Sequence, residues 1–255
     1  MWFATPPSSN LLVLLPPSET KRPGGVGISI DKSAIIWAAL DPARELLIGK
    51  LEKLCRKPKA AAEALKLGKK SAAEIEKNLS LWTSPTMPAL QRYTGVLYDA
   101  LGFETLSASA IERANQQLFI QSALFGLLPA MEQIPDYRFS AGSKLPGVSL
   151  KKLWGSAHQA VWPRLIGPIL DMRSESYVAL NPVPEGRESY YVEVIDETSG
   201  KALNHFNKKA KGAFARSILE NGADSVSDLS TVASKAGLGF QLAGDKVVLV
   251  VPRGF

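Results

Sequence analysis

With 255 residues, 45 % of them hydrophobic, the chain can bury a full core as one large domain or two small ones. A formal charge of +6 leans toward an anionic partner, while a single cysteine, Cys55, excludes an internal disulfide and, with only His158 and His205 beside it, a Cys/His zinc cage. No apolar stretch approaches the roughly 18 residues of a membrane span, and the opening run has a short apolar core without a basic leader, so a cytoplasmic protein with no secretory signal is expected.

Residues 1–10, with Pro6-Pro7-Ser8-Ser9, carry no periodicity and read as an extension; residues 11–255 are predicted to form one domain. Leu11-Leu12-Val13-Leu14-Leu15 reads as a buried strand. The Pro16-to-Gly25 stretch after it, with Lys21 and Arg22, is a loop at the strand's carboxyl end, where α/β folds often place ligands. Over residues 42–68 apolar residues recur every three or four positions with an interruption at Pro58, which predicts two amphipathic helices. Their lysines read as a solvated outer face.

A helix is predicted over residues 88–101 with Leu90, Tyr93, Leu97 and Leu101 inward, and another over residues 109–117 with Ser109 as N-cap and Glu112 in capping-box spacing. Residues 119–128 read as one buried strand ended by Pro129, and residues 148–165 as a helix with Leu150, Leu153, Trp154 and Ala157 on its apolar face. Strands are predicted over residues 169–172, 190–195 and 246–251. Helices close the chain over residues 208–220 and 227–236, the second capped by Ser227 and stopped by Gly237. The fold class is α+β, a mixed sheet flanked by helices.

Two tracts are basic without acidic counterweight. Lys208, Lys209, Lys211 and Arg216 lie in a run from residue 201 to 219 that has no Asp or Glu, and Arg138, Lys144, Lys151, Lys152 and Arg164 lie in another, from 137 to 170. Each is either a solvated surface or part of a shared cleft for a polyanion. Leu145-Pro146-Gly147-Val148-Ser149 resembles the hairpin of a helix-hairpin-helix, whose amides grip a nucleic-acid phosphate, although Ser149 stands where a second Gly is expected. Arg92 and Tyr93 offer a cation and a ring for a nucleotide, with the core as the other place for Tyr93. Arg173 and Tyr177 are candidate anion-site residues, and Glu175 between them is either a salt-bridge partner of Arg173 or an acid/base group. Walker, dinucleotide-binding, nucleophile-elbow and metalloprotease patterns are absent, so no cofactor and no metal are expected, and either histidine reads as core or surface.

Seven stretches in order resemble the YaaA family of bacterial peroxide-stress proteins: Pro16 to Lys21, Tyr93-Thr94-Gly95-Val96, Phe125-Gly126-Leu127-Leu128-Pro129, Tyr137-Arg138 with Lys144-Leu145, Leu153-Trp154, Ser174-Glu175-Ser176-Tyr177, and Lys208-Lys209-Ala210-Lys211-Gly212 with Arg216. The resemblance runs from residue 11 to about 240. It implies one α+β domain with a basic cleft, a helix-hairpin-helix-like element, binding of duplex or structured DNA, and a role in limiting oxidative damage. Carried over by position, it makes Lys208, Lys209, Lys211, Arg216 and Arg138 cleft cations, with Glu175 and Tyr177 nearby. Lys21-Arg22-Pro23-Gly24-Gly25 departs from the family's usual continuation. Two functions from different classes follow: a monomeric DNA-binding protein of the peroxide-stress response, or an enzyme acting on a nucleobase, nucleoside or nucleotide, with Glu175 as acid/base, Lys211 beside it and the same cations as anion site.

Overall fold

The computed structural model describes residues 11–27, 29–30, 35–68, 71–200 and 206–255; the expected extension over residues 1–10 and His205 lie outside them. Nine strands are present among these residues: β1 (Leu12–Leu15), β2 (Met87–Pro88), β3 (Leu118–Ser122), β4 (Gly126–Pro129), β5 (Gln133–Ile134), β6 (Ile169–Asp171), β7 (Ser189–Asp196), β8 (Gly239–Ala243) and β9 (Lys246–Val251). Seven of them form one sheet in the order β4-β3-β1-β6-β7-β9-β8, in which the five inner strands are parallel and each edge strand is antiparallel to its neighbour. This mixed, mostly parallel sheet flanked by helices is the expected α+β class.

The helices are α1 (Asp41–Cys55), α2 (Pro58–Ala64), α3 (Ser71–Leu79), α4 (Ala89–Arg92), α5 (Val96–Leu101), α6 (Ala108–Gln117), α7 (Leu150–Ala157), α8 (Glu175–Val178), α9 (Phe206–Asn221) and α10 (Leu229–Lys235). No helix among the described residues is long and apolar enough to cross a membrane. Every residue of β1 is buried, as a central parallel strand covered on both faces requires. Helix α6 packs on β3 and β4, α9 on β7 and β9, and the two helices pack on each other, with α5 laid against α9.

Five sequence expectations are corrected. The strand over 119–128 is a hairpin, because Ser122 Oγ accepts the amides of Leu124 and Phe125 (both 3.1 Å) and Gly126 takes φ 77°. The helix over 88–101 breaks into α4 and α5 at Tyr93, which is extended, and Gly95, at φ 99°. Helix α6 is capped by Ser107 rather than Ser109: Ser107 Oγ accepts from the Ala110 amide at 3.2 Å. The helix over 148–165 is α-helical only to Ala157 and continues as two 3₁₀ turns around Pro163. At the chain's end Ser225, not Ser227, makes the capping box, with Asp228, and Gly237 stops α10 at φ 73° as expected.

His158 is a core residue. It is fully buried, its Nδ1 donates to Trp154 O at 2.8 Å, and its Nε2 accepts the Leu127 amide at 3.1 Å, so the ring is held neutral. Burial, above all, pushes its pKa down to about 4 from the usual 6.5. The folded value lies below the unfolded one, so this stabilisation is complete above about pH 6.5 and is lost as pH falls through about 4. Urea unfolding at about pH 7 and about pH 4 should show a loss of about 2–3 kcal/mol, beyond the loss in a His158→Gln variant, that traces to this ring.

Candidate functional site

Strand β1 lies between β3 and β6, so the chain order reverses there, and the carboxyl ends of these strands are the place where open α/β sheets carry ligands. The loop leaving β1 crosses that edge and is pinned to the α4–α5 break: the Thr94 amide donates to Thr20 O (3.2 Å), the Arg22 amide to Arg92 O (2.8 Å), and Tyr98 Oη to Pro16 O (2.8 Å). Arg92 is fully buried, and its guanidinium spends all five N–H groups on the carbonyls of Arg22, Gly24, Pro85 and Ile134. It clamps the loop and has no donor left for a phosphate.

The same loop delivers Lys21. Its Nζ lies 4.1 Å from the Tyr137 ring centroid and 5.4 Å from that of Tyr93, and it donates to the carbonyls of Ser18 (3.1 Å) and Glu19 (3.3 Å). Beneath it a hydroxyl chain runs from Tyr93 to Tyr137 (2.7 Å) to Ser122 (2.8 Å). Burial against these rings lowers the Lys21 pKa to about 7; Asp136 pulls it back up, and Arg138 pushes it further down. At the rim Arg138 Nη2 pairs with Glu19 Oε2 at 2.7 Å, and Tyr177 Oη accepts the Ala141 amide at 3.3 Å. Burial pushes the Tyr177 hydroxyl up to about 12.

A second buried cation stands further along the same edge. Lys211, 5 % exposed, rests its Nζ 5.2 Å from the Tyr191 ring centroid on β7 and makes no hydrogen bond among the described residues. Burial lowers it to about 8 against the attraction of Asp171 and Glu193. Glu175 is exposed at the start of α8, near enough for its charge to act on Tyr191, and its carboxylate makes no hydrogen bond or ion pair among the described residues. Arg173 turns inward: Nε and Nη2 grip Asp171 at 2.9 and 2.7 Å, and Nη1 donates to Asn181 O.

The remaining predicted cations separate. Arg22 pairs with Glu104. Arg216 clamps α9 to the end of α5 through the carbonyls of Leu101, Gly102 and Thr105, leaving it structural. Lys208 and Lys209 are exposed, the latter 4.9 Å from the Phe255 ring centroid. Lys144, Lys151 and Lys152 are exposed around a turn in which Val148 N–H donates to Leu145 O (3.1 Å) and Gly147 takes φ 70°, a type II geometry that needs glycine. Helix α7 follows with Ser149 as N-cap, but residues 135–144 before the turn are not helical, so only the second half of a helix-hairpin-helix is formed. Sequence reasoning missed Lys50, whose Nζ donates to Pro146 O at 3.2 Å, and Lys66, whose Nζ is 3.4 Å from where a Cβ on Gly142 would stand.

Comparison with known proteins adds the lineage. A family model described as Peroxide stress protein YaaA matches residues 11–243. The chain belongs to this family. A UPF0246 protein of Corynebacterium glutamicum (strain R) is 38 % identical over 235 residues, 89 % of this chain and 94 % of its own. One from Streptomyces coelicolor is 36 % identical over 242 residues, 92 % and 93 % of the two chains. A protein of Campylobacter jejuni bearing the name "uncharacterized" is 26 % identical over 203 residues, 78 % and 81 %.

Four of the stretches that carry the YaaA resemblance, distant in sequence, meet at one place: Lys21 from the first, Tyr93 from the second, Tyr137 and Arg138 from the fourth, and Tyr177 from the sixth. Ser122 and Tyr191 were not legible as site residues, since nothing in their neighbours' composition distinguishes them from core, and Tyr137 was legible only through the family resemblance.

Proposed function

We propose that this YaaA-family protein binds nucleic acid through its phosphates, in the service of the peroxide-stress response, and that the turn at the start of α7 is the contact. The supporting observation is a convergence of cations without acidic partners. Lys50 on α1, Lys66 after α2, and Lys144, Lys151 and Lys152 around the turn lie together, and none of them is in an ion pair among the described residues. Uncompensated lysines of this kind neutralise phosphates and release counterions.

Fluorescence anisotropy on duplex DNA against salt tests this. Lys144→Ala, Lys151→Ala and Lys152→Ala together should weaken binding about 10- to 100-fold at roughly 0.1 M salt and reduce the log–log salt slope by about 2–3. Equal loss from Lys208→Ala with Lys209→Ala, and none from the turn, would move the contact to α9.

A half-buried lysine, Lys21, and a buried one, Lys211, on the carboxyl edge of the sheet favour a chemical role as well. Glu175 has the weaker claim to it, standing exposed and unpartnered at the rim, while Lys21 is enclosed by rings and faces the Glu19–Arg138 pair.

A further inference from the structure

We propose that Lys21 is a catalytic nucleophile that forms a reversible imine with an aldehyde borne on a phosphate-carrying sugar, the carbonyl seated at the carboxyl edge of β1. The aldehyde could belong to a free sugar phosphate or to an abasic nucleotide within a nucleic-acid strand; the second source rests on the nucleic-acid reading above, the first does not.

The position is the first argument. Lys21 sits on the loop at the reversal point of the sheet, the place where open α/β sheets carry their ligands, and not on the outer face of a helix. Its surroundings are the second. The Nζ packs against the faces of Tyr137 and Tyr93, its hydrogen bonds go to two backbone carbonyls, and it makes no ion pair with a carboxylate among the described residues. A desolvated lysine without a bound counter-ion is partly free amine near neutral pH, and a free amine attacks carbonyls. The charged groups acting on it are Asp136 and Glu74, which favour the ammonium, and Arg138 and Lys77, which oppose it; burial outweighs all four. The third argument is the rim. Arg138, whose charge acts on Lys21, offers a cation for a substrate phosphate and is held at the rim by Glu19 at 2.7 Å.

The step balances without an oxidant or reductant. The Lys21 lone pair attacks the carbonyl carbon and forms the C–N bond while the C=O π pair moves to oxygen. One proton passes from nitrogen to that oxygen through solvent, a second proton lets the oxygen leave as water, and the nitrogen lone pair closes the C=N bond. One amine, one aldehyde and one proton become one protonated imine and one water. Hydrolysis reverses it.

The test is trapping in the full-length wild-type protein. It is incubated with glyceraldehyde 3-phosphate, or with a duplex carrying one abasic site, in the presence of sodium cyanoborohydride, which reduces any imine to a stable secondary amine, and the adduct is located by peptide mass mapping. We expect the peptide holding Lys21 to be modified at least about 10-fold faster than those holding Lys144, Lys151 or Lys208 at neutral pH, since an ordinary lysine is only about one part in a thousand amine there. Its rate should level off above about pH 8, whereas ordinary lysines gain roughly tenfold per pH unit up to their own pKa. Lys21→Arg, which keeps the charge and can keep the carbonyl hydrogen bonds, should lose this adduct and retain its affinity for intact duplex. An adduct from the duplex alone assigns the aldehyde to nucleic acid, and one from the triose phosphate assigns it to a small sugar. Modification spread over the exposed lysines in both arms, with no preference for Lys21 and no plateau, would overturn the proposal. Failure of intact-duplex binding would strike only the nucleic-acid reading.

Discussion

Asp171→Asn is expected to cost about 3–5 kcal/mol of folding stability and to lower the melting temperature by on the order of 10 °C. Asp171 and Arg173 are 4 % and 0 % exposed, and they form a two-point pair, Nε to Oδ1 at 2.9 Å and Nη2 to Oδ2 at 2.7 Å. Arg173 also donates through Nη1 to Asn181 O, and Asn181 in turn accepts from Trp162 Nε1 and donates to Gln121 Oε1. The amide would leave a guanidinium charged, dry and without its counter-ion in the middle of that network, which costs more than the pair ever contributed. Removing both charges should therefore hurt less than removing one: Asp171→Asn with Arg173→Met should recover much of the loss in urea unfolding followed by far-UV circular dichroism. A single-variant loss below about 1 kcal/mol would contradict the buried pair. The substitution also removes the strongest attraction holding Lys211 charged, so the Lys211 amine should fall further below its ordinary value.

That Arg173 is a girder and not a phosphate ligand illustrates what the sequence could reveal. Apolar runs such as Leu11 to Leu15 and Val247 to Val251 announce strands because an inner parallel strand covered by its neighbours and by helices is apolar nearly throughout, and both lie where expected. The hairpin after β3 was hidden because its turn, Ala123-Leu124-Phe125, is itself apolar and buried, and Ser122 and Gly126 were the only signals of it. Strand β8 was missed because it is a short, exposed edge strand begun by a glycine, with only Phe240-Gln241-Leu242 to show an alternation. Charges were harder. Arg173 folds inward onto Asp171, two residues before it, whereas nothing local distinguishes Arg92, which also folds inward, from Arg138, which reaches the rim, since most of the partners that decide those two come from other parts of the chain. Lys50 and Lys66 look like a solvated helix face until the 142–147 turn is folded against them. The aromatic enclosure of Lys21 is assembled from residues near 93 and 137 and exists only in three dimensions.

Gly212→Ala is expected to destabilise the protein by about 3 kcal/mol or more and to disturb the Lys21 loop at a distance. Helices α5 and α9 cross so closely that a Cβ at Gly212 would stand 2.1 Å from Leu97 O and 2.9 Å from Ala100 Cβ. No rotamer relieves this, because the opposing atom is a backbone carbonyl inside a helix, so one helix must shift by about an ångström. The shift has two consequences at the carboxyl edge. Lys211 is the neighbouring residue on α9 and would move off the Tyr191 ring. On α5, Tyr98 follows Leu97 and holds Pro16 O at 2.8 Å, so the loop that presents Lys21 loses an anchor. Thermal unfolding measures the first effect. Peptide-resolved hydrogen exchange measures the second: the Thr94 amide, bonded to Thr20 O, should exchange faster in the variant, while the β7–β9 ladder at its far end keeps its protection. If Gly212→Ala melted like the wild type, the helices would have to sit further apart than these contacts allow, and the link from α9 through α5 to Lys21 would fail with them.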